Sequence, residues 1–394
     1  MTDLRAPLSL PSDRDATGRD LGDAELALLR EVIESGHLNS TGGTLTPRFE
    51  REFATRFGAA HAIACASGSA AIHAALGSLR LEPGDEVVTT PITDMGAILP
   101  IGYEGAVPVF AAVETTTGNV TADTIEACLT DRTRAVIVTH LFGRPCDLPP
   151  ILELVRGRDI VLIEDCAQAF LAEFDGSLVG SFGDMACYSF QQGKHMTTGE
   201  GGIVTTNKGE VADRITRFVN KGWGYGDPNP DHDCRGLNYR LTELQAAVGI
   251  AQLQKLDRVV EHRQQRARQM CDELRDLGGI RLPDEGLGPN DRHAFWRFAV
   301  GVDPEVVPGG PDALGRRLTA CGVHNAPRYI KKPAFDCAVL REGPFATDVD
   351  HGAHTSTRAC LERLLVLPWN EHYTPEHVSA IADEIRRAHE ELAP

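Results

Sequence analysis

Between residues 61 and 206 the chain alternates short apolar runs with segments of helical periodicity. The runs with strand character are HAIACA (61–66), DEVVTT (85–90), VPVFAAV (107–113), RAVIVTH (134–140), DIVLIED (159–165), MACYSF (185–190) and GGIVTTN (201–207). Strands of a parallel sheet that is covered on both faces are apolar at nearly every position. The pattern therefore predicts an α/β fold with a mostly parallel sheet sandwiched by helices.

Further helical patterns flank this region on both sides. We predict helices over residues 23–35, 48–57, 70–80, 241–277, 311–321 and 375–391, and one more strand over residues 295–302. The character of the sequence changes beyond residue 240, where the regular alternation of strands and helices ends. This change predicts a large domain over residues 1–258 and a smaller α+β domain over residues 259–394.

The composition excludes several classes of partner. The chain carries 39 Lys and Arg against 56 Asp and Glu, a formal charge of −17. Lys and Arg supply most of the affinity for nucleic acids and anionic lipids, so we expect neither a nucleic acid nor a membrane as partner. The 10 cysteines form no C-x-x-C pair, and no apolar run approaches the length of a membrane span. These features predict a cytoplasmic protein without a structural metal.

The first motif with chemical potential is ACASGSAAIHAAL, residues 64–76, in which a strand leads through Ser67, Gly68 and Ser69 into a helix. A turn of small residues at a helix N-terminus exposes backbone N–H groups and the positive end of the helix dipole, which together can hold a phosphate. The alternative interpretation is an ordinary N-cap by one of the serines.

The second motif is VLIEDCAQAF, residues 161–170. Asp165 follows a buried strand, and in open α/β sheets ligands bind at the carboxyl ends of the strands. A carboxylate there can hold a cationic ring nitrogen, with Gln168 about one turn further on. A helix N-cap by Asp165 is the alternative interpretation.

The third motif is YSFQQGKHMTTGEGG, residues 188–202, which places Lys194 in a loop rich in Gly and Thr. A lysine with a depressed pKa can form an imine with a carbonyl group, whereas a surface lysine is the plainer interpretation. A phosphate cup, an acid at a strand end and a loop lysine are together the parts of a pyridoxal-phosphate site.

These motifs resemble those of the DegT/DnrJ/EryC1/StrS aminotransferases, fold-type I pyridoxal-phosphate enzymes that aminate keto-sugars and ketocyclitols. The likeness runs from about residue 20 to the C-terminus, and its most specific strings are IEDCAQAF, GSFGDMACYSFQQGKHMTTGEGG and LNYRLTELQAAVGIAQLQKLD. The resemblance implies a fold-type I architecture with a large cofactor domain and a smaller C-terminal domain.

The resemblance also implies roles for individual residues. Lys194 matches the lysine that binds the cofactor as a Schiff base and then acts as general base, and Asp165 matches the partner of the pyridine nitrogen. The remaining cofactor-binding positions match Gln168 near the phenolic oxygen, Gly68, Ser69 and Ser189 at the phosphate, and Asn238, which in the family reaches across a dimer to the neighbour's phosphate. We therefore expect a homodimer with shared active sites.

One position departs from the family pattern. Where relatives usually carry an aromatic residue stacked on the pyridine ring, this chain has Asp94, followed by Met95. Either Met95 or another group covers the ring, or the alignment is shifted by one or two residues. The sequence leaves these alternatives open.

The details of the motifs indicate the branch of the family that aminates ketocyclitols in aminoglycoside pathways. We expect L-glutamine or L-glutamate as amino donor and a cyclitol or aminoglycoside-type ketone as acceptor, with Arg328 and Tyr329 as substrate contacts. The alternatives are an aminotransferase for nucleotide-diphospho-keto-sugars and a catalytically idle relative that only binds pyridoxal phosphate. The presence of Lys194, Asp165 and Ser189 argues against the idle relative.

Overall fold

The computed structural model describes residues 7–343 and 345–393 and contains a large sheet of seven strands, a second sheet of four strands and a short hairpin. The strands are β1 (His61–Cys65), β2 (Glu86–Thr89), β3 (Val107–Phe110), β4 (Thr133–Thr139), β5 (Val161–Asp165), β6 (Glu173–Phe174), β7 (Ser177–Leu178), β8 (Met185–Ser189), β9 (Gly202–Thr206), β10 (Ile280–Arg281), β11 (Arg297–Val302), β12 (Ala326–Pro327) and β13 (Leu364–Pro368).

The large sheet has the strand order β1-β9-β8-β5-β4-β2-β3. Strand β9 runs antiparallel to both of its neighbours, and the pairings from β8 through β5, β4 and β2 to β3 are parallel. The carboxyl ends of β1, β2, β4, β5 and β8 therefore meet at one edge of the sheet. The loops that leave this edge carry the polar residues of the first two sequence motifs.

Helices cover both faces of this sheet. The helices are α1 (Asp23–Ser35), α2 (Leu45–Phe57), α3 (Gly68–Gly77), α4 (Leu99–Tyr103), α5 (Ala122–Glu126), α6 (Leu148–Arg156), α7 (Gly209–Val219), α8 (Glu243–Leu274), α9 (Gly310–Ala320), α10 (Ala338–Arg341), α11 (Thr355–Arg363) and α12 (Pro375–Leu392). In β4, Val136 and Val138 belong to one buried cluster, and Ala135 and Ile137 belong to another. Burial on both faces explains why the strands are continuously apolar.

The second sheet has its own apolar core. Its strand order is β10-β11-β13-β12, and helices α9 and α12 contribute to the same buried cluster as Phe298 and Trp369. Helix α8 runs without interruption from Glu243 to Leu274, through the predicted boundary at residue 258. The boundary stays a prediction, and residues 1–6 of the predicted large domain and residues 344 and 394 of the smaller one lie outside the described residues.

The prediction of an α/β fold with a mostly parallel sheet is confirmed. Each strand predicted in the large sheet is present within a few residues of its expected bounds, but several elements were not predicted, among them α6, α7, α11 and β13. Two prolines in the first turn obscure the helical pattern of α6. Within the described part of the chain, no helix has the long apolar stretch needed to cross a bilayer.

Candidate active site

A cavity of about 370 Å³ lies at the carboxyl edge of the large sheet, where the three sequence motifs meet. Trp296, just before β11, and Tyr329, just after β12, also line this cavity. The residues that line it include Ser67, Gly68, Ser69, Thr93, Asp94, Asp165, Gln168, Ser189, Lys194, Glu200, Trp296 and Tyr329. The structure therefore brings most of the predicted site residues into one space.

The N-terminus of α3 forms one wall of this cavity. The Ser67 hydroxyl accepts a hydrogen bond from the N–H of Ala70 at 3.0 Å and caps the helix. The N–H groups of Gly68 and Ser69, in the first turn, have no partner inside the helix. A Cβ at Gly68 would lie only 2.7 Å from the Cβ of Ser189, so glycine is required for the close approach of β8. The result is a cradle of N–H groups and hydroxyls that suits a phosphate.

Asp165 ends β5 and sits at the bottom of the cavity. Its carboxylate accepts hydrogen bonds from the Thr139 hydroxyl at 3.2 Å and from the N–H of Ala167 at 3.1 Å. Burial nevertheless raises the pKa of Asp165 above its usual value. A buried carboxylate that lacks a hydrogen-bonded cation is stabilised by a positively charged ligand group.

Lys194 reaches the same cavity from the loop between β8 and β9. Its Nζ lies 4.0 Å from the centroid of the Trp296 ring. Burial lowers the pKa of the Lys194 ammonium to about 8, and the nearby positive charge of Arg297 acts in the same direction. The charges of Asp165 and Asp94 act against this shift. An amine with a pKa near neutrality is partly unprotonated and can act as nucleophile or base.

The loop that carries Lys194 is fixed from two sides. The indole N–H of Trp296 donates to the carbonyl of Gly193 at 2.7 Å, and a guanidinium N–H of Arg19 donates to the carbonyl of Lys194 at 2.8 Å. Gln192 donates its amide to the carbonyl of Asp13 at 2.9 Å. The N-terminal segment and the second sheet therefore hold the lysine in place.

Gln168 presents a hydrogen-bond donor to the cavity. Its side-chain carbonyl accepts the N–H of Phe142 at 2.7 Å, which determines the orientation of the amide. The NH₂ group is then left on the cavity side, where it can donate to an oxygen of a ligand.

The structure separates the two predicted substrate residues. Tyr329 lines the cavity and packs edge-on against Phe142, with ring centroids 4.9 Å apart. The Arg328 guanidinium pairs instead with Asp312, at 3.2 Å, and does not line the cavity. Asn238 is exposed and lies away from this chain's own cavity. The roles of these residues stay predictions.

The structure also shows which of two neighbouring residues faces the site. Asp94 lines the cavity, whereas Met95 packs against a separate apolar cluster that contains Ile98 and Phe335. Met95 is therefore not placed to cover a ligand ring. The sequence did not identify Thr93, Glu200 and Trp296, which line the cavity, or Thr139, which donates a hydrogen bond to Asp165. Thr139 is the last residue of β4 and lies near the end of the predicted strand 134–140, so its place at the carboxyl edge was predictable. Trp296 comes from a distant part of the chain, and no local pattern indicates its place in the site.

Behind the cavity, His140, Glu164 and Cys166 form a buried group with the spacing of metal ligands. Glu164 accepts N–H groups from Gly180, Phe182 and Gly183 at 2.7–2.9 Å. His140 accepts the N–H of Cys146 through Nδ1 at 3.0 Å and contacts Glu164 through Nε2 at 3.1 Å. These bonds satisfy the polar atoms of His140 and the Glu164 carboxylate within the protein itself.

Comparison with known proteins adds an independent result. Residues 19–386 match the model of the DegT/DnrJ/EryC1/StrS aminotransferase family. A GDP-perosamine synthase of Caulobacter vibrioides is 36% identical over 301 residues, covering 76% of this chain and 80% of that protein. A protein of Streptoalloteichus tenebrarius, provisionally named L-glutamine:3-amino-2,3-dideoxy-scyllo-inosose aminotransferase, is 34% identical over 289 residues, covering 72% and 69%. The solved aminotransferase from Psychrobacter cryohalolentis superposes with a TM-score of 0.87 at 28% identity, covering 95% and 98%.

Proposed function

The chain belongs to the DegT/DnrJ/EryC1/StrS aminotransferase family, and from this premise we propose that it transfers an amino group to the ketone of a cyclitol or aminoglycoside-type sugar. We propose pyridoxal phosphate as its cofactor and L-glutamine or L-glutamate as its amino donor. The observation that supports this proposal most directly is the buried Lys194 amine, whose pKa is lowered by burial, in one cavity with the Asp165 carboxylate.

The residues of the cavity fit pyridoxal phosphate. The first-turn N–H groups of α3 and the hydroxyls of Ser69 and Ser189 would hold the phosphate. A pyridinium nitrogen beside Asp165 would stabilise this buried carboxylate, whose pKa is raised by burial. The Gln168 amide would donate to the phenolic oxygen. Because Gly68 has no Cβ, its side of the cradle is free of a side chain.

The chain's own residues then account for the proton movements. When bound, pyridoxal phosphate supplies a carbonyl carbon for the amine and an electron sink for the carbanion at Cα of the donor. Lys194, once free, takes the proton from Cα of the amino acid as a general base, a function for which a pKa of about 8 is well suited. Asp165 keeps a proton on the ring nitrogen. The hydrogen bond from the Trp296 indole to the Gly193 carbonyl holds the loop that carries Lys194 in place.

Two lines of support favour a cyclitol or aminoglycoside-type acceptor. One relative is named for an amino-bearing scyllo-inosose, and the net charge of −17 disfavours a polyanionic substrate. The alternative acceptor is a nucleotide-linked keto-sugar, which is favoured by the 36% identity to GDP-perosamine synthase. We also propose a homodimer in which Asn238 of each chain completes the other's phosphate site, supported by its exposed position.

The absorption spectrum of the purified protein tests the proposed chemistry. We expect a visible band of bound cofactor that disappears when L-glutamine or L-glutamate is added and returns when the right ketone follows. The K194A protein should lack the band, whereas K208A, which changes an exposed lysine outside the cavity, should keep it. A K194A protein with an unchanged band would contradict the role of Lys194.

A panel of ketones tests the acceptor. Mass spectrometry should detect amination of ketocyclitols and not of nucleotide-linked keto-sugars. The opposite result would replace the cyclitol proposal by its alternative.

A further inference from the structure

The carboxylates on the wall of the active-site cavity outnumber the cations. The acidic side chains that line it are Asp94, Asp165 and Glu200, and the basic one is Lys194. Under the proposed function Asp165 is engaged with the cofactor ring and Lys194 with the cofactor or a transferred proton. Asp94 and Glu200 then remain as negative charges that face the space left for substrate.

Asp94 is held so that one carboxylate oxygen stays available. Its Oδ1 accepts the N–H of Gly96 at 2.8 Å, which fixes the side chain at the start of the turn after β2. Within residues 7–343 and 345–393, its other oxygen accepts no hydrogen bond and no basic group lies at ion-pair distance. The side chain is exposed on the cavity side.

The charge of Asp94 reaches the interior of the cavity. Burial raises the pKa of Tyr329 to about 12, and the charge of Asp94 adds to that shift. Burial lowers the pKa of Lys194, and the same carboxylate acts against that shift. Asp94 thus lies within electrostatic reach of both Tyr329 and Lys194, which line the same cavity.

A second, independent observation comes from Thr93. Its side chain is only 3% exposed and lines the same cavity, yet its hydroxyl has no hydrogen-bond partner in the described part of the chain. A buried hydroxyl without a partner is costly, so a polar ligand group is expected against it. The unpartnered hydroxyl is adjacent in sequence to the unpaired carboxylate.

We propose that the acceptor ketone already carries an ammonium group, and that Asp94 selects this acceptor by binding that ammonium, with the Thr93 hydroxyl as a neighbouring polar contact. This inference rests on the proposed function and narrows it to aminated ketones. A carboxylate and an ammonium form a charge-assisted hydrogen bond, whereas a nucleoside diphosphate would bring further negative charge beside Asp94 and Glu200.

The test compares two matched ketones on the holoenzyme, a ketocyclitol with one amino group and its counterpart with a hydroxyl at the same carbon. The ratio of kcat/KM for the amino ketone over the hydroxy ketone should be at least about tenfold in the wild-type protein. In D94N, whose amide keeps an oxygen for the Gly96 N–H, the ratio should fall about tenfold. In the control D131N, which makes the same charge change at an exposed site before β4, it should not change.

A binding measurement makes the test independent of turnover. Calorimetry should show that the wild-type holoenzyme binds an aminocyclitol at least about tenfold more tightly than the matching neutral cyclitol, and that D94N has lost this preference. A wild-type protein without the preference, or a D94N protein that keeps it, would overturn the role of Asp94.

The donor reaction separates this inference from the proposed function. If L-glutamine and L-glutamate leave the cofactor band unchanged while the binding preference persists, the proposed function fails and the ammonium site is still supported. If the donor reaction proceeds and both ketones are used equally in wild type and D94N, the proposed function stands and the ammonium site is overturned.

Discussion

Lys194 has a pKa of about 8 because its ammonium is buried, and this makes the uptake of cofactor depend on pH. An amine attacks a carbonyl only when it is unprotonated, and the unprotonated fraction rises about tenfold per pH unit below the pKa. The rate at which the apoprotein takes up pyridoxal phosphate should therefore rise up to about pH 8 and level off above it. Absorbance at a series of pH values measures this rate.

The comparison is with a lysine side chain in water, whose pKa is 10.5. Uptake whose rate continues to rise towards pH 10.5 would show that Lys194 is not desolvated, and the prediction would then be wrong.

Gly68 allows a second test at the scale of a single residue. A methyl group there would lie 2.7 Å from the Cβ of Ser189, so G68A must displace either β8 or the start of α3. We expect the dissociation constant of the cofactor to increase at least about tenfold, because overpacking of this size costs roughly 1–3 kcal/mol. Fluorescence titration of the apoprotein measures the constant.

A matched glycine provides the control. Gly157 has an ordinary φ of −88° and nothing within 4 Å of an added Cβ. G157A should bind the cofactor as the wild type does. Equal affinity in G68A and G157A would show that the cradle does not hold the phosphate.

At this scale the sequence predicted the residues that stand in local motifs. Lys194, Asp165 and Gly68 follow strands or open a helix, and their surroundings are set within a few residues. Trp296 and the Arg19 contact to the Lys194 carbonyl join residues more than 100 positions apart, and no local pattern reports such pairs. The Arg328 guanidinium pairs with Asp312, and its predicted contact with substrate stays a prediction.

At the scale of elements, apolar runs predicted the strands of the large sheet because burial on both faces leaves little room for polar residues. The runs did not predict the strand order or the reversed direction of β9, since neither changes the composition of a strand. Strand β13 directly follows helix α11, and its short apolar run is compatible with a helix or a strand.

Glu243, in the first turn of α8, connects this long helix to α2. The buried carboxylate accepts the N–H groups of Leu45 and Thr46 at 2.7 and 2.8 Å, and the Thr46 hydroxyl. E243A would leave these donors without a partner, which should lower the free energy of unfolding by about 2–4 kcal/mol. Urea denaturation measures this change.

An exposed residue of the same helix provides the comparison. Glu261 accepts one hydrogen bond, from the Gln265 amide at 3.3 Å, so E261A should change the unfolding free energy by less than about 0.5 kcal/mol. A loss in E243A no larger than that of E261A would show that the helix start does not depend on the carboxylate.

At the scale of the whole molecule, the proposed dimer predicts complementation between two inactive variants. K194A lacks the reactive amine, and N238A would lack the contact to the neighbour's phosphate. In a mixed dimer with shared sites, both defects fall in one site and the other site is intact. After random exchange of subunits, half of the dimers are mixed, so about a quarter of the sites should be active.

The measurement is aminotransferase activity after the two proteins have been unfolded and refolded together. Each protein refolded alone is the control. Activity that stays at the level of the separate proteins would show that each chain completes its own site.

The walls of the active-site cavity have a consequence for the time course of protein synthesis. The lining extends from Ser67 to Tyr329, and the lysine loop is held by Arg19, near the start of the chain, and by Trp296, which is made much later. When a ribosome has completed the large sheet, it has therefore not yet made Trp296 and Tyr329, which line the cavity. Under the proposed function, cofactor binding would begin in the last third of translation, and a bound cofactor would indicate that a newly made chain has folded at least as far as Tyr329.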